Sequence, residues 1–199
     1  PGAPAPARLS ETDRHQSVSV SPDGLGASFS MAGHHGVRSD LAIEQHTGFY
    51  YFEGHREVAA GNYGFGVATA DAALDNFGGA SNQSLGVNAL GFVFFNNISQ
   101  VSDNTDISSA EYYGLAVDYR GDHPVVHVIA NGALVYTQVM SAVTSPLHIL
   151  VYGNPVAAGI QQTINTAHDL QNQPFFYDAE AILATAGIAG ANQLVGGWT

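Results

Sequence analysis

Hydrophobic and polar residues alternate along most of the chain, and turn-forming residues separate the alternating runs. Residues 127–138, VHVIANGALVYT, hold two apolar runs joined by Asn131-Gly132. Asn-Gly is a strong signal for a type I′ hairpin, because both central residues need a positive φ that Asn tolerates and Gly adopts freely. The pattern therefore predicts two antiparallel strands closed by a tight turn.

Six other stretches have a similar strand-like character. They are SVSVS, GFYYFEG, NYGFGVAT, LGFVFF, YYGLAVDY and PLHILVYG, and the two runs of the hairpin extend to PVVHVIA and ALVYTQVM. Runs that are apolar on both faces, such as 91–95, indicate strands buried on both sides, whereas alternating runs indicate one wet face. Together they predict an all-β fold of two packed antiparallel sheets.

Two segments have short helical patterns. In ATADAALDNFGG, Asp71 is expected to cap one helical turn. In YDAEAILATAG, Asp178 is expected to cap a short C-terminal helix that ends before Gly187. The tail beyond this helix is expected to return Trp198 to the core.

The length of 199 residues suits one β domain. The opening PGAPAPAR is rich in Pro and Ala, a composition that stays extended. We therefore expect residues 1–12 to form a linker or tail and residues 13–199 to form a single sandwich domain within a larger protein.

Charge excludes some partners. The chain has no Lys, five Arg and a formal net charge of −12, so its field repels nucleic acid and anionic lipid. We expect no nucleic-acid partner and no membrane insertion. Only 11% of the residues are charged, and uncharged polar surfaces are common on secreted proteins, which favours an extracellular or secreted location. The absence of Cys removes thiol chemistry and disulfides.

Six motifs occur in an order that resembles the SPRY domain family. They are HHGVRSD, GFYYFEG, NYGFGVATADAALD, YYGLAVDYR, VVHVIANGALV and PLHILVYGN, and they span about residues 30–155. Each motif alone is a strand or turn signal, whereas six in this order are much more specific. Bacterial members carry a comparable series, and NQPFFYDAEAILATAG looks like a C-terminal extension seen in bacterial relatives.

The resemblance implies a bent, concanavalin-like sandwich that serves as a non-catalytic binding scaffold, with loops at one end that carry specificity. Most SPRY relatives recognise proteins. The ligand-contacting loop residues of peptide-binding animal relatives cannot be placed on this sequence, so no peptide specificity is carried over. A fold does not by itself fix a function.

Catalytic residues are not assigned. Glycoside hydrolysis normally needs two carboxylates about 5 Å apart or further, and the E-x-D-x-x-E strand of laminarinase-type sandwiches is missing. Glu53 and Glu57 flank what looks like a strand end and turn. A lyase needs a cationic groove, which five Arg make hard to assemble. A hydrolase or lyase remains the enzymatic alternative, since carboxylates can converge from separate loops.

No metal site and no cofactor are assigned either. His34 and His35 are adjacent, and adjacent residues on a strand point to opposite faces, so one metal ion does not readily bind both. The segment SDNTD, residues 102–106, offers closely spaced oxygen ligands. A structural Ca²⁺ there is the alternative.

Neutral glycans are bound by aromatic faces and by planar amide or carboxylate groups. Four patches combine such groups, and the candidate ligand-binding residues are His34, His35, Asp75, Asn76, Phe77, Asn96, Asn97, Tyr119 and Arg120. For each patch alone a structural role is the stronger interpretation, because aromatic residues close cores and Asn forms turns. Placement of the patches near one end would favour a ligand site.

The sequence thus predicts a non-catalytic carbohydrate-binding module of a larger exported bacterial protein, which recognises a neutral glycan through loops at one end. The alternatives are a protein-protein interaction module of SPRY type and a glycoside hydrolase or polysaccharide lyase.

Overall fold

The alternating segments form the strands of two antiparallel sheets. A computed structural model describes residues 7–56, 62–154, 160–165, 175–191 and 194–196. In chain order the strands are β1 Leu9–Arg14, β2 Val18–Val20, β3 Gly26–Phe29, β4 His35–Ile43, β5 Phe49–Arg56, β6 Asn62–Ala68, β7 Ser84–Asn88, β8 Val93–Phe95, β9 Ile98–Val101, β10 Tyr112–Asp118, β11 Val125–Ala130, β12 Ala133–Val139, β13 Leu147–Asn154, β14 Ile160–Asn165 and β15 Leu194–Gly196. The helices are α1 Thr105–Ser109 and α2 Ala179–Thr185.

The strands divide between two sheets. Sheet A has the order β1-β4-β13-β6-β7-β8-β9, and sheet B has the order β12-β11-β10-β5-β14-β3-β2. Strand β15 pairs in parallel with the first half of β5, while β14 pairs antiparallel with its second half. The predicted two-sheet sandwich is confirmed.

Strand β5 shows how alternation builds two cores. Phe52 points inward and joins the main core between the sheets, whereas Phe49 and Tyr51 point outward and join a second apolar cluster. The C-terminal segment, which we define as residues 175–191, covers this outer face with Tyr177, Leu183 and other residues. Sheet B is therefore buried on both faces where this segment lies.

The outer face of sheet A is covered by the connection between β6 and β7, which we call the cover loop (residues 69–83). Strand glycines let the loop approach closely: a Cβ on Gly86 would lie 2.4 Å from the carbonyl oxygen of Gly78. On the same face Ala72 and Tyr152 belong to a third apolar cluster. The single helical turn expected after Asp71 does not form; these residues make turns and bends that follow the sheet surface.

Several local predictions are confirmed. Asn131 and Gly132 have φ angles of 49° and 75°, as a type I′ hairpin requires. Asp178 caps α2 by accepting a hydrogen bond from Ala181 N, and Gly187 follows the helix with a φ of 76°.

Other local predictions differ from the structure. The run 91–95 supplies only the three-residue strand β8, since Gly91 lies in a turn with a φ of 92°, and Phe94 is only half-buried. Strand β1 extends the folded part of the chain into residues 7–12, which were expected to form a tail, because Ala7 and Leu9 are buried in the main core. Trp198 lies outside the described residues. No helix within the described part of the chain is long and apolar enough to cross a bilayer.

The contact between Gly86 and the cover loop yields a stability prediction. Gly86→Ala should lower the free energy of unfolding by about 1–3 kcal/mol, because the added methyl group overlaps backbone atoms that cannot easily move. Urea denaturation measures the loss. The matched control is Gly121→Ala, since a Cβ on Gly121 meets nothing within 4 Å. Equal stability of the two variants would show that the cover loop is loosely packed.

Candidate functional site

The sandwich has two ends, which we name by a residue that lies at each. At one end β4 begins with His35 opposite Gly153 and β7 finishes at Asn88; we call it the His35 end. Strand β5 also finishes there, since Arg56 Nη1 donates a hydrogen bond to Ala89 O at 3.3 Å. At the opposite end β5 begins with Phe49, and we call it the Phe49 end.

The predicted site residues are divided between the ends. His34 and His35 lie at the His35 end, whereas the Asn96-Asn97 turn and Tyr119-Arg120 lie at the Phe49 end. The four patches therefore do not assemble into one site.

Phe77 lies between the two ends on the outer face of sheet A. Its half-buried ring contacts the ring of His34 at 5.5 Å and that of Phe94 at 5.0 Å between centroids. Asp75 and Asn76 beside it are exposed, and Asn76 Oδ1 accepts a hydrogen bond from Phe77 N. The structure thus brings His34 together with the Asp75–Phe77 patch, across the cover loop.

Asn96 and Asn97 form the tight turn between β8 and β9. Both have positive φ angles, 52° and 59°, and their backbone N–H groups donate to Ser81 O and Gly79 O. Their side chains are exposed, and their backbones hold the cover loop. Turn formation, the structural alternative weighed from the sequence, accounts for both residues.

Tyr119 and Arg120 anchor packed segments. The Tyr119 ring is buried in the main core, and its hydroxyl donates to Ser145 O at 3.1 Å. The Arg120 guanidinium donates two hydrogen bonds to Asp118 at 2.8 and 2.6 Å, and its carbon Cζ lies 5.1 Å from the ring centroid of Phe49. It also donates to Ala189 O, so it fastens the C-terminal segment to sheet B.

Three exposed apolar side chains lie at the His35 end, and the sequence analysis did not single them out. Met31 is 53% exposed, Leu90 is 53% exposed and Phe176 is 62% exposed. We call these residues the exposed trio. Single exposed apolar residues are ordinary on protein surfaces, and Leu41, Ile98 and Val139 are exposed toward the Phe49 end. The trio favours a binding surface because it includes Phe176, the most exposed of these side chains.

Hydrogen bonds fix the backbone beside each member of the trio. Next to Met31, the loop is held because Gly33 N donates to Asn154 Oδ1 at 2.9 Å. Leu90 N donates to Asn88 Oδ1 at 3.0 Å, and Phe176 N donates to a carboxylate oxygen of Glu53 at 2.7 Å. Because these backbones are already ordered, little conformational entropy remains to be lost when a ligand binds.

Phe176 is the outermost ring of a three-ring stack on sheet B. It lies against Tyr112 with centroids 4.4 Å apart and an interplanar angle of 9°, and Tyr112 stacks on His55 at 4.5 Å. His55 Nε2 in turn lies 3.0 Å from Glu111 Oε1. The stack supports a flat, mostly exposed ring face, which suits stacking against a planar or pyranose ring. The doublet Phe175-Phe176, just before the capping Asp178, was the signal available in the sequence.

Glu53 holds the C-terminal segment in place from beneath. It is only 2% exposed, and its carboxylate accepts hydrogen bonds from Phe176 N, Tyr177 N and the Tyr51 hydroxyl at 2.7, 2.8 and 2.9 Å. Burial raises the pKa of Glu53, while these donors oppose the shift. Both oxygens are engaged by the protein, so this carboxylate anchors the C-terminal segment to β5.

Segment 102–106, the candidate calcium site, contributes a helix cap. Asn104 Oδ1 accepts from Ile107 N at 3.0 Å and so caps α1. Among the described residues, no three His, Asp or Glu side chains converge as metal ligands do. The calcium alternative stays a prediction.

Comparison with known proteins identifies the fold. No protein-family profile matches the chain, and no curated protein matches it by sequence. The PSpry domain of TRIM65 matches with a TM-score of 0.64 at 12% identity, over 81% of this chain and 90% of that domain. The SPRY domain of human HERC1 matches with a TM-score of 0.60 at 12% identity, over 83% and 99%. A human SPRY domain matches with a TM-score of 0.58 at 13% identity, over 79% and 98%. The chain therefore has a SPRY-like fold, as the motif order predicted.

Removal of the Glu53 carboxylate should release the C-terminal segment. Glu53→Ala leaves the buried N–H groups of Phe176 and Tyr177 without acceptors, so the free energy of unfolding should fall by about 2–4 kcal/mol. Glu53→Gln keeps one acceptor oxygen and should lose less. Exposed Glu44→Ala is the control and should change stability by no more than about 0.5 kcal/mol in urea denaturation. A Glu53→Ala variant as stable as Glu44→Ala would contradict the anchoring role.

Proposed function

We propose that the domain is a non-catalytic binding module that captures a segment of a partner protein at the His35 end. The exposed trio carries this proposal, because it places three apolar side chains on fixed backbone at one end of the sandwich. Each is a candidate anchor for an apolar pocket or side chain on the partner. The SPRY-like fold supports the same function, since the resemblance implies a binding scaffold.

A row of contacts connects the trio across this end. Asn154, which holds the Met31 loop, ends β13 opposite the start of β6. Tyr63 of β6 accepts a hydrogen bond from Ala89 N beside Leu90, and Ala89 O accepts one from Arg56. Arg56 follows His55, the innermost ring of the Phe176 stack. The trio is therefore carried by one continuous framework.

The state of Glu53 supports the non-catalytic interpretation. A glycoside hydrolase needs a pair of carboxylates that face the substrate. Glu53 is buried with both oxygens bonded to the protein, and Glu111 lies against His55. Both carboxylates are thus engaged by protein groups.

Peptides selected from a random displayed library on the immobilised domain test the protein-binding proposal. Met31→Ser, Leu90→Ser and Phe176→Ser should each weaken binding of a selected peptide by about tenfold, because each removes one apolar anchor. Ile98→Ser and Val139→Ser are matched controls, since these side chains are comparably exposed at the Phe49 end. If the controls lose as much affinity as the trio variants, or if no peptide is selected, the proposal fails.

A neutral glycan is the second candidate ligand, and the Phe176 stack favours it. A free aromatic face fixed by stacking suits the apolar face of a pyranose ring. The domain should then be retarded on affinity gels that contain a neutral polysaccharide, and Phe176→Ala should abolish the retardation. Leu90→Ser should keep it, because Leu90 lies outside the stack. Unchanged migration of the wild-type domain across a broad polysaccharide panel would reject glycan binding.

A further inference from the structure

Three histidines lie together beneath the loop that carries Met31. The His15 ring, at the end of β1, stacks on the His35 ring with centroids 4.0 Å apart and an interplanar angle of 13°. The neighbouring His34 ring contacts Phe77 of the cover loop. The three imidazoles thus join β1, the start of β4 and the cover loop.

Their hydrogen bonds fit uncharged rings. His15 Nδ1 accepts from Ser17 N at 3.2 Å and lies 2.7 Å from Ser17 Oγ. A proton on this atom would remove the acceptor of Ser17 N, while Ser17 Oγ would accept the proton's hydrogen bond. His35 is 9% exposed, and its Nε2 donates to Ala32 O at 3.3 Å in the tautomer that this contact requires. The Nδ1 atoms of His34 and His35 are buried and have no hydrogen-bond partner among the described residues. Protonation would place an unsatisfied N–H in each buried position.

Nearby charges compensate a protonated ring only in part. Asp75 of the cover loop raises the pKa of His15, but burial and the neighbouring His35 lower it and prevail. Burial and His35 also lower the pKa of His34. On the adjoining strands Asp13 is paired with Arg38 at 2.7 Å, and Arg14 donates to the carbonyl oxygens of Glu11 and Val18. Because Asp13 is paired with Arg38, Asp75 is the carboxylate that acts on a protonated His15.

The direction of the pH effect follows from these shifts. A histidine whose pKa is lowered in the packed state takes up its proton first in an opened state. The packed arrangement is therefore fully stable above the ordinary histidine pKa of about 6.5 and loses stability as the pH falls below it. Opening of this cluster would loosen the loop beside it, because the bond from His35 to Ala32 O is one of the hydrogen bonds that hold the loop, another being Gly33 N to Asn154 Oδ1.

We propose that His15, His34 and His35 form an acid-sensitive clasp that fixes the Met31 loop at neutral pH and releases it on acidification, so that ligand binding at the His35 end weakens. The regulatory part rests on the proposed function. The clasp itself does not, and it can be tested separately.

Methionine methyl NMR tests the clasp in the full chain. The chain has two methionines, the exposed Met31 and the buried Met140, so a ¹³C-methyl-methionine sample gives two signals. The Met31 signal should shift or broaden with a midpoint below about pH 6.5, whereas Met140 should stay constant and report that the core is intact. His35→Phe and His15→Phe keep a ring in the stack and should remove the transition. His46→Asn, at the Phe49 end, should keep it.

Two results would overturn the clasp: a Met31 signal that is constant from pH 7.5 to 5, or a transition that persists in both Phe variants. Affinity for a selected peptide is the second measurement, and it should fall about tenfold or more between pH 7.5 and 5 in the wild-type domain only. A normal Met31 transition with pH-independent affinity would reject the regulation and leave the binding function standing. If no peptide binds at either pH, the proposed function fails while the Met31 signal still decides the clasp.

Discussion

Each sheet of this sandwich has cover on its outer face as well as its inner one, and this constraint determines where a ligand can bind. The C-terminal segment occupies the outer face of sheet B, and the cover loop occupies that of sheet A. Such packing buries large rings on both sides of a strand, as β5 does with Phe49 and Phe52. The middle of each sheet is then unavailable, and recognition is left to the ends and edges.

Rigidity at the His35 end has the same origin as the stability of the fold. Glu53 is buried because the C-terminal segment covers it, and it repays the cost of burial by accepting three hydrogen bonds. One of those bonds positions Phe176. The interaction that packs the C-terminal segment therefore also holds the exposed Phe176 ring in place. Modest contacts on ordered loops can give useful affinity without any reactive side chain. In the proposed clasp of His15, His34 and His35, by contrast, packing depends on protonation.

A good part of the fold could be predicted from the sequence. Alternation, the Asn131-Gly132 turn and the Asp178 cap are local signals, because a strand, a two-residue turn and a helix start each depend on residues adjacent in the chain. The sandwich and its SPRY-like character followed from the order of such signals. The start of the domain is not a local signal. Strand β1 begins at Leu9, before the expected start at residue 13, because Leu9 is buried against residues distant in the chain.

The candidate site could not be predicted in the same way. Aromatic and amide content indicated only which residue types suit ligand binding. In the structure Asn96 and Asn97 form a turn, and Tyr119 and Arg120 anchor packed segments. The candidate patches also lie at different ends of the sandwich. Exposure of Phe176 depends on its stack with Tyr112, a residue 64 positions earlier, and on Glu53, still further away. The sequence determined the strands and their turns, because those obey local periodicity and backbone preference. Only tertiary structure decided which side chains meet and which remain exposed. Long-range packing brings together segments that are distant in the chain, and it buries some of their side chains while it leaves others in contact with water.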